Sequence, residues 1–282
     1  LPDSLNFEIQ VDFGDGTPVQ TIFEPFFEPE HEKYGPAAQV IEGSKDGTWF
    51  GSSVAAGDVN GDGYADVVVG QGWDNRILLY LGTRDGLIPP PFGVIQGTQP
   101  NAGFGLMVAS AGDINGDGYD DIIVAAPNQK TVTSITVVTE SGEIEEQLIT
   151  LRGQVLVYQG TPKGLSSLPI WTLEGFEEDA AMRLVISTAG DVDHDGFDDI
   201  LVAEPYADVD MIGETGLVHL VDAGMVQLFS GSENGLSKEP AWIYLGQEEG
   251  GLLGSAVSPA RDINGDGFDD VLIGAYREDG DE

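Results

Sequence analysis

Asp58-Val59-Asn60-Gly61-Asp62-Gly63-Tyr64-Ala65-Asp66 decides how this chain is read, because the pattern recurs three more times. The other copies are Asp113-Ile114-Asn115-Gly116-Asp117-Gly118-Tyr119-Asp120-Asp121, Asp191-Val192-Asp193-His194-Asp195-Gly196-Phe197-Asp198-Asp199 and Asp262-Ile263-Asn264-Gly265-Asp266-Gly267-Phe268-Asp269-Asp270. Oxygen-bearing side chains stand at positions 1, 3, 5 and 9, glycine at 6 and an aromatic residue at 7. Calcium takes six to eight oxygen ligands, and a tight loop with a glycine turn can present four side chains and one backbone carbonyl to it. The expected ligands are the side chains of Asp58, Asn60, Asp62 and Asp66 with the carbonyl of Tyr64, and those of Asp113, Asn115, Asp117 and Asp121 with the carbonyl of Tyr119. In the later copies they are Asp191, Asp193, Asp195 and Asp199 with Phe197, then Asp262, Asn264, Asp266 and Asp270 with Phe268. The chain is therefore expected to hold about four Ca2+ ions.

Two other readings compete with calcium. An EF-hand starts in the same way but needs a bidentate Glu at position 12 between flanking helices. Position 12 is Val69, Val124, Val202 and Ile273, apolar residues inside strand-like runs, so the ninth-position Asp must close the cage instead. Asx turns, in which Asp and Asn bond their own backbone, are the alternative without a metal. They do not explain three or four carboxylates packed into nine residues, which repel one another unless neutralised. The adjacent Asp120, Asp198 and Asp269, and His194 at position four, are expected to face solvent.

The repeat extends beyond the loop. A short apolar segment precedes each copy (Phe50–Ala55, Phe104–Ala109, Met182–Ser187, Leu253–Ser258), and a run rich in β-branched residues follows it (Val67–Gly70, Ile122–Pro127, Ile200–Pro205, Val271–Ala275). A third element is present in three copies (Ile77–Gly82, Val155–Gly160, Val226–Gly231), as is a fourth (Val94–Gly97, Trp171–Gly175, Ile243–Gly246). Four short strands per unit, with the acidic loop joining the first two, predict an all-β β-propeller of four-stranded antiparallel blades. Repeats are placed at 49–103, 104–181, 182–252 and 253–282, the last truncated, while 1–48 is read as part of a preceding blade or the end of an upstream β domain. Val40–Gly43 matches a fourth strand. A seven-bladed ring would need about 400 residues at roughly 60 per blade. The 282 residues are therefore expected to form an arc of a larger ring.

The Phe-Gly openings (Phe50-Gly51, Phe104-Gly105), the Asp-x-Asn-x-Asp-Gly-x-x-Asp loop and the Ala-Ala-Pro close at Ala125–Pro127 resemble FG-GAP repeats, which build the head propeller of integrin α subunits. Met182-Arg183 replaces Phe-Gly in the third copy, and Gly70-Gln71-Gly72 departs from the close in the first, but the loops are intact. The resemblance implies calcium-stabilised adhesion or ligand recognition, outside the cell or on its surface, and no catalysis. The rival reading is an accessory, non-catalytic propeller of a larger secreted enzyme acting on carbohydrate or lipid; a structural spacer is a third. Val11–Gly16 also has the look of a strand and turn of a PKD-type immunoglobulin-like domain, against the plainer reading as a hairpin of the first blade.

Composition bounds the function. With 49 acidic against 11 basic residues the net charge is −38, which disfavours nucleic acid and anionic membrane as partners. Four calcium ions would offset only eight of those charges. No apolar run approaches the roughly 18 residues of a membrane span, so no direct membrane insertion is expected. The absence of cysteine rules out disulfides and thiol chemistry. His31, His194 and His219 are scattered, and no nucleophile elbow or phosphate loop is present. Starting at Leu1-Pro2, the chain reads as a processed or excised piece. Tyr80, Tyr158, Trp171, Phe229 and Tyr244 recur at equivalent strand positions and are expected in the core. Two long insertions, about 128–153 and 206–224, join second to third strands; the first contains an expected hairpin, Thr131–Val138 against Glu143–Thr150. Strand alternation puts both on the face opposite the acidic loops; the resemblance implies that this face receives a protein or glycan ligand, with tolerated decoration or capping of neighbouring blades as the equal alternative.

Overall fold

The computed structural model describes residues 10–11, 20–21, 39–43, 47–138, 144–176, 184–213 and 216–276. Its sheets follow the repeat. The first blade runs Phe50–Gly57, Asp66–Gln71, Arg76–Tyr80 and Gly93–Gln96, each strand antiparallel to the one before it. The second is Met107–Gly112, Asp121–Ala125, Ile144–Tyr158 and Trp171–Phe176, and the third Val185–Gly190, Asp199–Glu204, Met225–Phe229 and Trp242–Leu245. A fourth, two-stranded sheet pairs Leu253–Arg261 with Asp270–Ala275. The first strands of successive blades lie beside one another, as they do around a propeller axis.

The second strands show why the runs after each loop are continuously apolar. Successive side chains point to opposite faces, and here both faces are covered. Val68 packs towards the second blade while Val67 and Val69 pack the other way. Ile122 and Val124 join the cluster shared with the first blade, and Ile123 and Ala125 the one shared with the third. Leu201 and Ala203 meet the fourth sheet. Three of the hydrophobic clusters are therefore inter-blade layers, and the fourth covers the outer face of the first blade. Trp171 of the second blade meets Phe229 of the third edge-on, with ring centroids 4.9 Å apart.

Tyr80, Tyr158, Trp171 and Phe229 are buried as expected, but Tyr244 is exposed. It occupies the place that Leu173 holds in the second blade, packed on the next blade's core. The sheet following Tyr244 has only two strands in the described residues, so no surface reaches it.

Other details differ from expectation. The hairpin in the first insertion is present, but its return strand does not stop at Thr150. Lys130–Val138 pairs with Ile144–Arg152, and the same 15-residue strand continues as the third strand of the blade. The second insertion contains a hairpin not read from sequence, Val209–Gly213 against Gly216–Leu220. Val40–Gly43 forms no strand, yet Ile41 is buried on the outer cluster of the first blade and Gln39 bonds both the amide and the carbonyl of Leu87. Gln10–Val11 pairs with Gln20–Thr21, and the turn read as PKD-like lies mostly outside the described residues, as does His31.

Burial at the blade interface is expected to show in stability. In this 282-residue chain, Phe229→Ala should cost about 3–5 kcal/mol in urea unfolding, whereas Leu272→Ala, on the open face of the fourth sheet, should stay within about 0.5 kcal/mol.

Candidate metal centres at the blade junctions

All four acidic loops have one internal geometry. The position-one carboxylate is the hub: Asp58 accepts the amide of Asp62 at 3.0 Å and that of Gly63 at 2.8 Å. Asp113 accepts from Asp117 and Gly118, Asp191 from Asp195 and Gly196, and Asp262 from Asp266 and Gly267, all within 2.8–3.1 Å. The position-five carboxylate accepts the position-seven amide in every copy. Glycine is needed at position six because the backbone there is left-handed, φ 86 to 94°. In the third loop, oxygens of Asp191, Asp193 and Asp195 lie within 4.8 Å of one another, a group that does not include Asp199.

The ninth residue is set deeper. Asp66, Asp121 and Asp199 are 0% exposed. One oxygen of each accepts an amide at 2.8 Å from the glycine after the third strand: Gly82, Gly160 and Gly231. A Cβ on any of these glycines would overlap the carbonyl of Ala65, Asp120 or Asp198, so only glycine brings the chain close enough. These glycines, and Gln159, whose amide donates to Asp117 at 2.6 Å, were not singled out from sequence, although glycine closes the third element in each copy. The second oxygen of Asp66 and of Asp121 is buried and meets no donor in hydrogen-bond geometry among the described residues, although the amides of Val59 and Ile114 lower the two carboxyls, whereas the second oxygen of Asp199 accepts the amide of Val192 at 3.0 Å. A buried carboxylate oxygen without a donor is costly, and a hard cation held with the loop oxygens would supply what is missing. The residues present fit calcium in this respect. Burial pushes Asp66 and Asp199 up to about 6 and Asp121 up to about 7, with neighbouring loop carboxylates adding to the effect in all three. In the fourth loop Asp270 is only partly buried and bonds the amide of Ile263, there being no described third strand to cover it.

The loops sit at the seams between blades, which corrects one expectation. Asp120, Asp198 and Asp269 do not face solvent; each turns back onto the preceding loop and accepts the amide of its first residue. His194 is exposed as expected and meets the ring of Phe268 edge-on at 6.0 Å, and Tyr119 and Phe197 lie against Gly61 and Gly116, an aromatic at position seven meeting position four of the loop before. The carbonyls of Val59 and Ile114 receive the amides of Thr161 and Ser232 from the next blade. Val59 and Ile114 are 0% exposed, while Ile263, with no next blade beside it, is 66% exposed.

The FG-GAP-like repeat family matches residues 58–124, and the FG-GAP repeat family matches 107–143, 185–229 and 253–282. The chain belongs to the FG-GAP repeat proteins of the integrin α type. It is 30% identical to integrin alpha-5 of Xenopus laevis over 99% of this chain and 25% of that one. It is 32% identical to integrin alpha-V of Gallus gallus over 86% and 22%, and 34% identical to integrin alpha-IIb of Homo sapiens over 61% and 16%. This FG-GAP arc thus spans about a quarter or less of the length of these relatives.

The raised carboxylates give a pH dependence of known sign. Without metal, the folded state holds protons that the unfolded chain releases near pH 4, so stability is gained as pH falls through about 7 to about 4. Metal-stripped protein should melt at a higher temperature at pH 5.5 than at pH 8, and Asp121→Asn should flatten that slope. With saturating calcium the slope should reverse, because protons then compete with the ion. Melting curves at both pH values, with and without calcium, check this.

Proposed function

We propose that this FG-GAP arc is a calcium-stabilised recognition module of the extracellular space or cell surface, serving adhesion or ligand binding and carrying no catalytic centre of its own. The observation that carries the reading is the acidic junction loop repeated four times, with a buried oxygen of the ninth carboxylate left without a donor in the first two copies, Asp66 and Asp121. Loops repeated in this way from blade to blade fit a cation that stabilises the arc rather than one that reacts. The proposed ligands are the side chains at positions 1, 3, 5 and 9 and the carbonyl at position 7 of each loop, Asp58 to Asp66, Asp113 to Asp121, Asp191 to Asp199 and Asp262 to Asp270. When bound, calcium would neutralise carboxylates that otherwise repel one another, so that binding and folding are coupled. The kinship with integrin α chains supports recognition as the purpose. Residues 49–282 are read as one propeller segment with blades at 49–103, 104–181, 182–252 and 253–282.

The partner, a protein or a glycan, is placed on the face opposite the loops. Antiparallel order puts the first-to-second and third-to-fourth connections at one end of a blade and the other connections at the opposite end. Both insertion hairpins rise from that second end. Gln99, in the link between the first two blades, bonds Lys130 at the base of one hairpin, and Gly246 and Leu253 bond Gly224 and Ala223 at the base of the other. Nucleic acid is a poor partner for a chain of charge −38. No helix among the described residues is long and apolar enough to cross a membrane.

Calorimetric titration of metal-stripped protein should show about four calcium sites with dissociation constants around 10⁻⁴–10⁻³ M, as in extracellular modules. Asp117→Ala should remove one of them, and calcium should raise the melting temperature. An absence of both calcium uptake and thermal shift would show the reading to be wrong. For the partner face, replacing 131–151 by Asn-Gly between the paired Lys130 and Arg152 should leave folding and calcium uptake intact. Any ligand found by screening extracellular matrix proteins and glycans should lose binding to this variant; retained binding would exclude the hairpin as the recognition element.

A further inference from the structure

Each of the first three acidic loops is held by a residue belonging to the next loop. The amide of Asp58 donates to Oδ2 of Asp120 at 2.7 Å, that of Asp113 to Asp198 at 2.8 Å and that of Asp191 to Asp269 at 3.3 Å. The backbone returns the contact: the amides of Asp120, Asp198 and Asp269 donate to the carbonyls of Asp58, Asp113 and Asp191 at 3.0, 3.1 and 3.2 Å. Two bonds therefore close a ring between position eight of one loop and position one of the loop before. Position one is the hub whose carboxylate gathers the amides of positions five and six, so fixing its backbone fixes where those oxygens point. The space for the incoming carboxylate is made by the residue just before position one, Gly57, Gly112 or Gly190, where a Cβ would run into Asp120, Asp198 or Asp269.

Ala65 stands at position eight of the first loop, where the other three have Asp. Arg261, at φ 53°, stands before the fourth loop, where the other three have glycine. A solvating role for the eighth-position acids explains neither the returning amide bonds nor the glycine opposite each.

We propose that Asp120, Asp198 and Asp269 are positioning residues for the calcium site of the preceding blade, not for the loops that carry them. The inference rests on the calcium reading above. Residues that orient metal ligands through hydrogen bonds typically change metal affinity by about 10- to 100-fold when removed.

The test follows one glycine amide in each loop, Gly63, Gly118, Gly196 and Gly267, by NMR through a calcium titration of the whole chain. Asp120→Ala should raise the calcium midpoint reported by Gly63 about tenfold or more and leave Gly118, in its own loop, within about twofold. Asp198→Ala should move Gly118 in the same way and spare Gly196. Asp120→Asn keeps an acceptor oxygen and should restore most of the Gly63 affinity, which a requirement for charge alone would not allow. A shift at Gly118 in place of Gly63 in Asp120→Ala would overturn the proposal, as would an equal shift at all four glycines. Asp269→Ala removes the longest of the three bonds and gives the same comparison on Gly196; loss of the folded spectrum in all three alanine variants would show a structural role only and also overturn it. If no glycine of the unmodified chain responds to calcium, the calcium reading itself falls, and this inference with it.

Discussion

Asp66, Asp121 and Asp199 each bury a carboxylate at a seam between sheets, and the rest of the arc is arranged around the need to satisfy it. One oxygen is met by the amide of a glycine at the end of the third strand, drawn in so closely that no side chain fits there. The other oxygen, in Asp66 and Asp121, meets no donor in hydrogen-bond geometry among the described residues. Burying a charge is unfavourable unless it is paired, so such a position persists only with a proton or a cation. The neighbouring loop carboxylates raise the penalty for leaving it bare and at the same time supply the remaining oxygens of a cage.

From that constraint the blade junctions follow. The loop closes the first and second strands of its own blade, its position-one backbone is held by the next blade's eighth-position acid, and its second residue is sealed by the next blade's third-to-fourth connection. Hydrophobic layers complete the seam from the other side: second strands buried on both faces, with Trp171 on Phe229 and Phe104 against Tyr158. Where the next blade is incomplete, the same residue types are uncovered, as Ile263, Leu272 and Tyr244 show.

Much of this was legible in the sequence, because the information is local. The loop pattern, the glycine at position six and the β-branched runs each follow from neighbours in the chain, and the four-strand order follows from their repetition. What was missed depends on partners far along the chain. Asp120 reads as a solvated acid until Asp58, 62 residues earlier, is placed beside it. Tyr244 has the pattern of a core residue, and only the two-stranded sheet beyond it leaves it exposed. The sequence pattern ends the hairpin at Thr150 and starts the third strand at Val155, whereas a register shared with two partner strands carries Ile144–Tyr158 straight through Gly153.

On the proposed reading the cation joins the blades and recognition is left to the opposite face. Hydrogen–deuterium exchange with and without calcium tests that claim most directly, read at the amides that cross the seams: Gly82, Gly160 and Gly231, which bond the ninth carboxylates, and Asp120 and Asp198, which bond the preceding loops. These amides should be strongly protected with calcium and exchange much faster once it is removed, while amides in the middle of the second strands change less. Equal protection at the seams in both states would contradict the account.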